Sequence, residues 1–170
     1  MLGRFRFTFA LLLFILPAAA HAHLQCVPYA RSISGIEIHG DAHTWWDEAE
    51  GVYQRGNLPK VNSVLVLRAT RAMPLGHVAV VREIVDERHV LLDHANWSRP
   101  GMIEQRALAE DISEAGDWSE VRVWYGPTRS LGLRSNPAYG FIYGAPPAAN
   151  DRTLLASADD MSARNGERMR

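Results

Sequence analysis

The chain has 170 residues, 47% of them hydrophobic, and a formal net charge of -1. That length supports one domain with a proper core and is too short for two. The near-neutral balance, with no Lys/Arg stripe, excludes a protein that holds nucleic acid by charge.

The chain opens like a targeting segment. Arg4 and Arg6 give a positive start, residues 7–16 form a short apolar run, Pro17 breaks it, and Ala20-His21-Ala22 offers small residues at the positions a signal peptidase reads. The run falls short of the roughly 20 residues a membrane-spanning helix needs, and the two arginines are not adjacent, against the twin-arginine route. Residues 1–22 read as a cleaved secretory signal, with the mature chain starting at His23 and no membrane association after cleavage.

Export changes the meaning of the cysteine count. Cys26 is the single cysteine, so it has no partner within the chain for a disulfide. A lone thiol in an oxidising compartment is buried, lipidated, joined to another chain or used in chemistry. Gln25 and His23 before it do not fit a lipoprotein site, which wants a small residue immediately before the cysteine and an aliphatic one three before. Residues 25–34 read as a helix with Pro28 in its first turn. That places Cys26 at a helix start, where unpaired N–H groups and the dipole favour the thiolate. A buried structural cysteine is the bland alternative.

Asp41 can cap a second helix through Trp45 and Trp46 towards Tyr53, stopped at Gly56-Asn57. Both tryptophans read as packing residues. His39 and His43 have a spacing that suits a metal on a helix, but Gly40 and Asp41 break the helix between them and no further ligands stand nearby. No metal or cofactor is expected. Strands are expected at residues 61–67, 77–85, 89–96, 102–107, 121–125 and 139–143. Residues 145–170 carry few large apolar groups and read as a disordered tail. The pattern is an α+β domain of residues 23–144, with helices first and a largely antiparallel sheet after them.

His77 opens a strand that any branched residue would satisfy, and Gly76 before it permits a close approach. With residues 86 and 87 as the hairpin loop, counting outwards sets Asn96 opposite His77 and His94 opposite Ala79, diagonal to His77. The three polar side chains then share a face, and a slip of one residue would separate them. A cysteine nucleophile needs a base whose tautomer is fixed by a polar neighbour. His94 and Asn96 are both candidates for that neighbour.

Gln25-Cys26-Val27-Pro28-Tyr29-Ala30-Arg31, the Trp45/Trp46 helix, Pro59 leading into Val64-Leu65-Val66, Gly76-His77-Val78-Ala79-Val80-Val81 and His94-Ala95-Asn96-Trp97 together resemble CHAP domains. These are the cysteine- and histidine-dependent amidohydrolases/peptidases of the papain-like superfamily, and the likeness covers roughly residues 24–125 in order. Departures are Pro28-Tyr29 where Trp-Tyr is common, Asn62-Ser63 where Gly-Asp is common, and His94 where Glu is frequent. The resemblance implies a papain-like fold with N-terminal helices on the sheet. It implies hydrolysis of peptidoglycan amide bonds by a secreted monomer, in the periplasm or outside the cell. Cys26 would be nucleophile, His77 base, and His94 or Asn96 the orienting group. Backbone N–H at Cys26, with Gln25, would hold the oxyanion. The alternative is a non-catalytic wall-binding module on the same fold.

Overall fold

The computed structural model describes residues 24–144. The expected signal segment, residues 1–22, and the expected tail, residues 145–170, lie outside the described residues. Helix α1, Cys26–Ser34, ends at Gly35, whose φ of 71° is left-handed and whose N–H closes onto Arg31 O. A short 3-10 turn, Ala42–Thr44, leads into α2, Trp45–Glu48. This second helix is shorter than the sequence suggests. Gly51 takes a φ of 73°, and the chain then enters β1, Gln54–Gly56, where the Arg55 guanidinium donates to Trp46 O at 2.6 Å.

The remaining strands are β2 (Val64–Leu67), β3 (His77–Ile84), β4 (His89–Ala95), β5 (Ile103–Asp111), β6 (Glu120–Tyr125), β7 (Ser130–Leu131) and β8 (Asn136–Tyr143). They form one sheet in the order β1-β8-β2-β3-β4-β5-β6-β7, and a further pairing of β8 with β6 closes the six inner strands on themselves. All pairings are antiparallel. The antiparallel sheet is as expected, but the balance differs: the chain is mostly β, with a barrel-like sheet and few helices. Strands β1 and β7, three and two residues long, are too short to show the alternation that marks a strand in sequence.

Closure explains why β2 is buried at every position. Leu65 and Leu67 join Ala79, Val81, Leu92, Trp118 and Phe141 in one cluster. Val64 and Val66 face the other way, with Val78 and Val80, into a second cluster capped by Ala30 of α1, Ile36, Trp45 and Ala49. Alternation along β3 gives His77 the parity of Ala79 and Val81, so it sits at the end of the first cluster.

Two bulges set the register around it. The β3–β4 loop is one residue longer than simple counting allows: Val85 N–H bonds to His89 O at 2.9 Å, leaving residues 86–88 as the turn. The register is therefore Ile84↔Val90 near the loop, but a bulge between Val81 and Glu83 absorbs the extra residue. Beyond it, Val81↔Leu92 and Val80↔Asp93 restore the alignment that puts His94 opposite Ala79. A second bulge, on β5, changes Leu92↔Ala107 into His94↔Glu104. Arg106 takes a φ of 55° there, and its N–H donates to the Asp93 carboxylate at 2.8 Å. Arg82 pairs with the other Asp93 oxygen at 2.9 Å.

Gly76 is a tight point immediately before His77. Its φ is 69°, and a Cβ there would lie 2.8 Å from Leu67 O and 2.9 Å from His43 N, both backbone atoms. Gly76→Ala is expected to destabilise the fold by about 1–3 kcal/mol through strain alone, read as a lower urea midpoint; an unchanged midpoint would contradict the packing described.

Candidate active site

Cys26 at the start of α1, His77 at the start of β3, and Asn96 and Trp97 just past β4 open onto one groove of about 1200 Å³. The sulfur of Cys26 is half-buried and faces the backbone N–H groups of Val78, Val27 and Cys26 itself. The sequence placed the thiol at a helix start, and the structure agrees. Its expected consequence, a thiol more acidic than usual, does not follow. Burial pushes the Cys26 thiol up, and this exceeds the downward pull of the three N–H groups.

His77 is 4% exposed and His94 1%. His77 Nε2 lies 3.1 Å from His94 Nδ1, with one proton between them. Burial, then the neighbouring His94, push the His77 imidazole well below its ordinary range. Burial also holds His94 down to about 4, opposed by the Asp93 charge. Both rings are therefore neutral near pH 7. Trp97 covers them, its ring 4.8 Å from His77 and 5.7 Å from His94; its indole N–H donates to Trp124 O at 2.9 Å.

Of the two candidate neighbours of His77, His94 makes the contact. Asn96 has a φ of 62°, a left-handed conformation that Asn tolerates, and its side chain turns elsewhere. Its amide donates to Gln25 Oε1 at 2.8 Å, and its carbonyl oxygen accepts from Gly101 N–H at 2.9 Å. Asn96 thus fastens the residue before Cys26 to the turn after β4.

Glu104, absent from the sequence reading, stands behind His94. Its Oε2 is 3.6 Å from His94 Nε2, and its side chain is 10% exposed. Ser98 anchors it, through N–H to Oε2 at 3.1 Å and hydroxyl to Oε1 at 2.7 Å. The only sequence signal was an acidic residue in an expected strand; pairing it with His94 needs the β5 bulge. Among the described residues no group of three or more His, Cys, Asp or Glu could hold a metal ion. His43 instead faces Leu75 O through Nδ1 at 3.3 Å, bracing the turn that leads to His77.

Neutral buried histidines make the fold acid-sensitive. Their folded pKa values lie below the unfolded value of about 6.5, so the unfolded chain takes up protons first as pH falls. Stability is expected to hold above pH ~6.5 and drop by about 3 kcal/mol from His94 alone by pH ~4. Urea midpoints across that window check this, and a flat profile would contradict the burial of the pair.

The family model of the CHAP domain matches residues 17–96. No curated protein matches the chain. Among solved structures, an N-acetylmuramoyl-L-alanine amidase from Staphylococcus aureus is similar at 23% identity and a TM-score of 0.49, covering 71% of this chain and 31% of that one. This chain thus spans about a third of that protein's length. Cys26, His77, His94 and Asn96 all fall within the segment that is similar to the CHAP domain.

Proposed function

We propose that this chain is an exported cysteine hydrolase that cleaves amide bonds in peptidoglycan, with Cys26 as nucleophile and His77 as base. The observation that carries the reading is one groove onto which a half-buried thiol and a dehydrated imidazole both open, the imidazole backed at 3.1 Å by a second one. The likeness to the CHAP domain supports peptidoglycan as the substrate class.

In this reaction the thiol of Cys26 gives its proton to His77 as sulfur bonds to the carbonyl carbon. Because burial raises the thiol and depresses the imidazole, the resting pair is neutral and proton transfer accompanies attack. The Cys26 N–H, at the open end of α1, donates to the developing oxyanion. Gln25, oriented by Asn96, is the second donor. The C–N bond then breaks, His77 returns its proton to the leaving amine, and a thioester remains. Water, deprotonated by His77, adds to the thioester; the acid leaves and the thiol is restored. His94 holds the His77 ring throughout.

Purified sacculi test the assignment. Cys26→Ser is expected to fold like the wild type and release no fragments, while wild-type products, sized by mass spectrometry, identify the bond cut. Wild-type protein that sediments with sacculi without releasing anything would instead identify a wall-binding module. His94→Ala is expected to lower kcat about 100-fold or more with little change in KM, as for removal of an orienting group. The acid limb of kcat/KM is expected below pH 6.5, because a depressed His77 stays in its base form to lower pH. Alkylation of Cys26 by iodoacetamide is expected to be slow at pH 7 and to keep rising beyond the pH at which an ordinary free thiol levels off, the sign required by a raised thiol.

A further inference from the structure

We propose that Glu104 is a positioning residue which, acting through His94, fixes the tautomer of His77 and leaves its Nδ1 as the bare nitrogen that accepts a proton. The argument starts from the cost of Glu104 where it stands. Among the described residues no Lys or Arg pairs with this carboxylate; its contacts are Ser98 N–H, the Ser98 hydroxyl and His94. A nearly buried carboxylate without a cation destabilises a fold unless N–H and O–H donors surround it. Ser98 is fixed for that purpose, since its Oγ also accepts the Gly126 N–H at 2.9 Å. Opposite this anchored acid lies His94 Nε2, a buried atom with no hydrogen-bond partner among the described residues; Glu104 Oε2 faces it at 3.6 Å, within reach of charge attraction.

The carboxylate sets an order for the protons. An ionised carboxylate only accepts, so the proton of neutral His94 is drawn to Nε2, facing Glu104. His94 Nδ1 is then an acceptor, and the bond to His77 at 3.1 Å requires His77 Nε2 to carry the hydrogen. The proton on a neutral imidazole is thereby used, and His77 Nδ1 is bare. With the reverse order, His94 Nδ1–H would donate to His77 Nε2, His77 would be protonated at Nδ1, and its base nitrogen would face away from proton transfer. The carboxylate also favours the imidazolium that His77 becomes. The charge neighbour of His77 is His94 on β4; Cys26 on α1, Asp41 and Tyr125 line the same groove, and His43 packs against Gly76. Asp93, next in the chain to His94, is engaged by Arg82 and the Arg106 N–H.

This inference rests on His77 being the base, and its test separates the two. Nitrogen-15 NMR of histidine reads tautomers with no substrate present. Wild type is expected to show hydrogen on Nε2 of both His77 and His94. In Glu104→Ala the His77 signal is expected to move to a mixture or to the Nδ1–H form, with kcat about 30-fold lower and KM within about 3-fold, the pattern of lost orientation. Glu104→Gln keeps the shape and an acceptor and removes the charge, so it serves even if the alanine variant does not fold. It is expected to shift the acid limb of kcat to lower pH, because the imidazolium loses a favourable neighbour. Unchanged tautomers in Glu104→Ala, or an unmoved acid limb in Glu104→Gln, would overturn the role of Glu104. Activity retained by Cys26→Ser would overturn the proposed function instead, and leave the tautomer result standing.

Discussion

Burying His77 and His94 side by side takes two ionisable rings out of water, and they can stay there only as neutral groups. That single constraint organises the end of the barrel. A neutral imidazole has one donor and one acceptor, so a buried pair must agree on which way the shared proton points. Trp97 supplies the dehydration by lying against both rings. The closed sheet supplies the rigidity: β3 is held by β2 on one side and β4 on the other, so His77 cannot drift from His94 without breaking a ladder.

The same dehydration governs the cysteine. A helix start favours a thiolate, and three N–H groups do face the sulfur, yet burial exceeds their effect. Position on a helix is therefore a poor guide to thiol acidity when the thiol is also packed against a hydrophobic cluster, as Cys26 is. The site trades a charged resting pair for a neutral one. In the proposed reaction, charge would develop only as the sulfur attacks, where fixed dipoles act most strongly.

Much of this was legible in the sequence, and what was not has identifiable causes. Branched runs marked β2 and β3, because residues buried on both faces leave a continuous apolar signature. Gly76 and His77 stood out as residues no ordinary strand needs. Counting from a two-residue loop sets His94 opposite Ala79 and diagonal to His77, and the structure keeps that alignment because the bulge after Val81 cancels the loop's extra residue. Closure of the sheet was not legible, since the β6–β8 pairing joins Val121 to Asn136 across a turn whose short strand β7 leaves no pattern. Helix α2 stopped early at a glycine that periodicity alone treats as tolerable. Glu104 was invisible because its partner depends on which residue of β5 is bulged.

The β5 bulge gives the last link between sequence and site. Continuing the register of Leu92↔Ala107 would bring Gln105 opposite His94, and the pleat would turn Glu104 to the other face. Arg106 adopts its left-handed conformation because the Asp93 carboxylate accepts its N–H. Asp93 and His94 are neighbours in the chain with opposite tasks: the first fixes the backbone that decides which β5 side chain meets the second. A buried acid that pairs with Arg82 looks like a structural ion pair. Its effect reaches the groove nonetheless, since the alignment it secures is what sets a carboxylate, rather than an amide, behind the histidine pair.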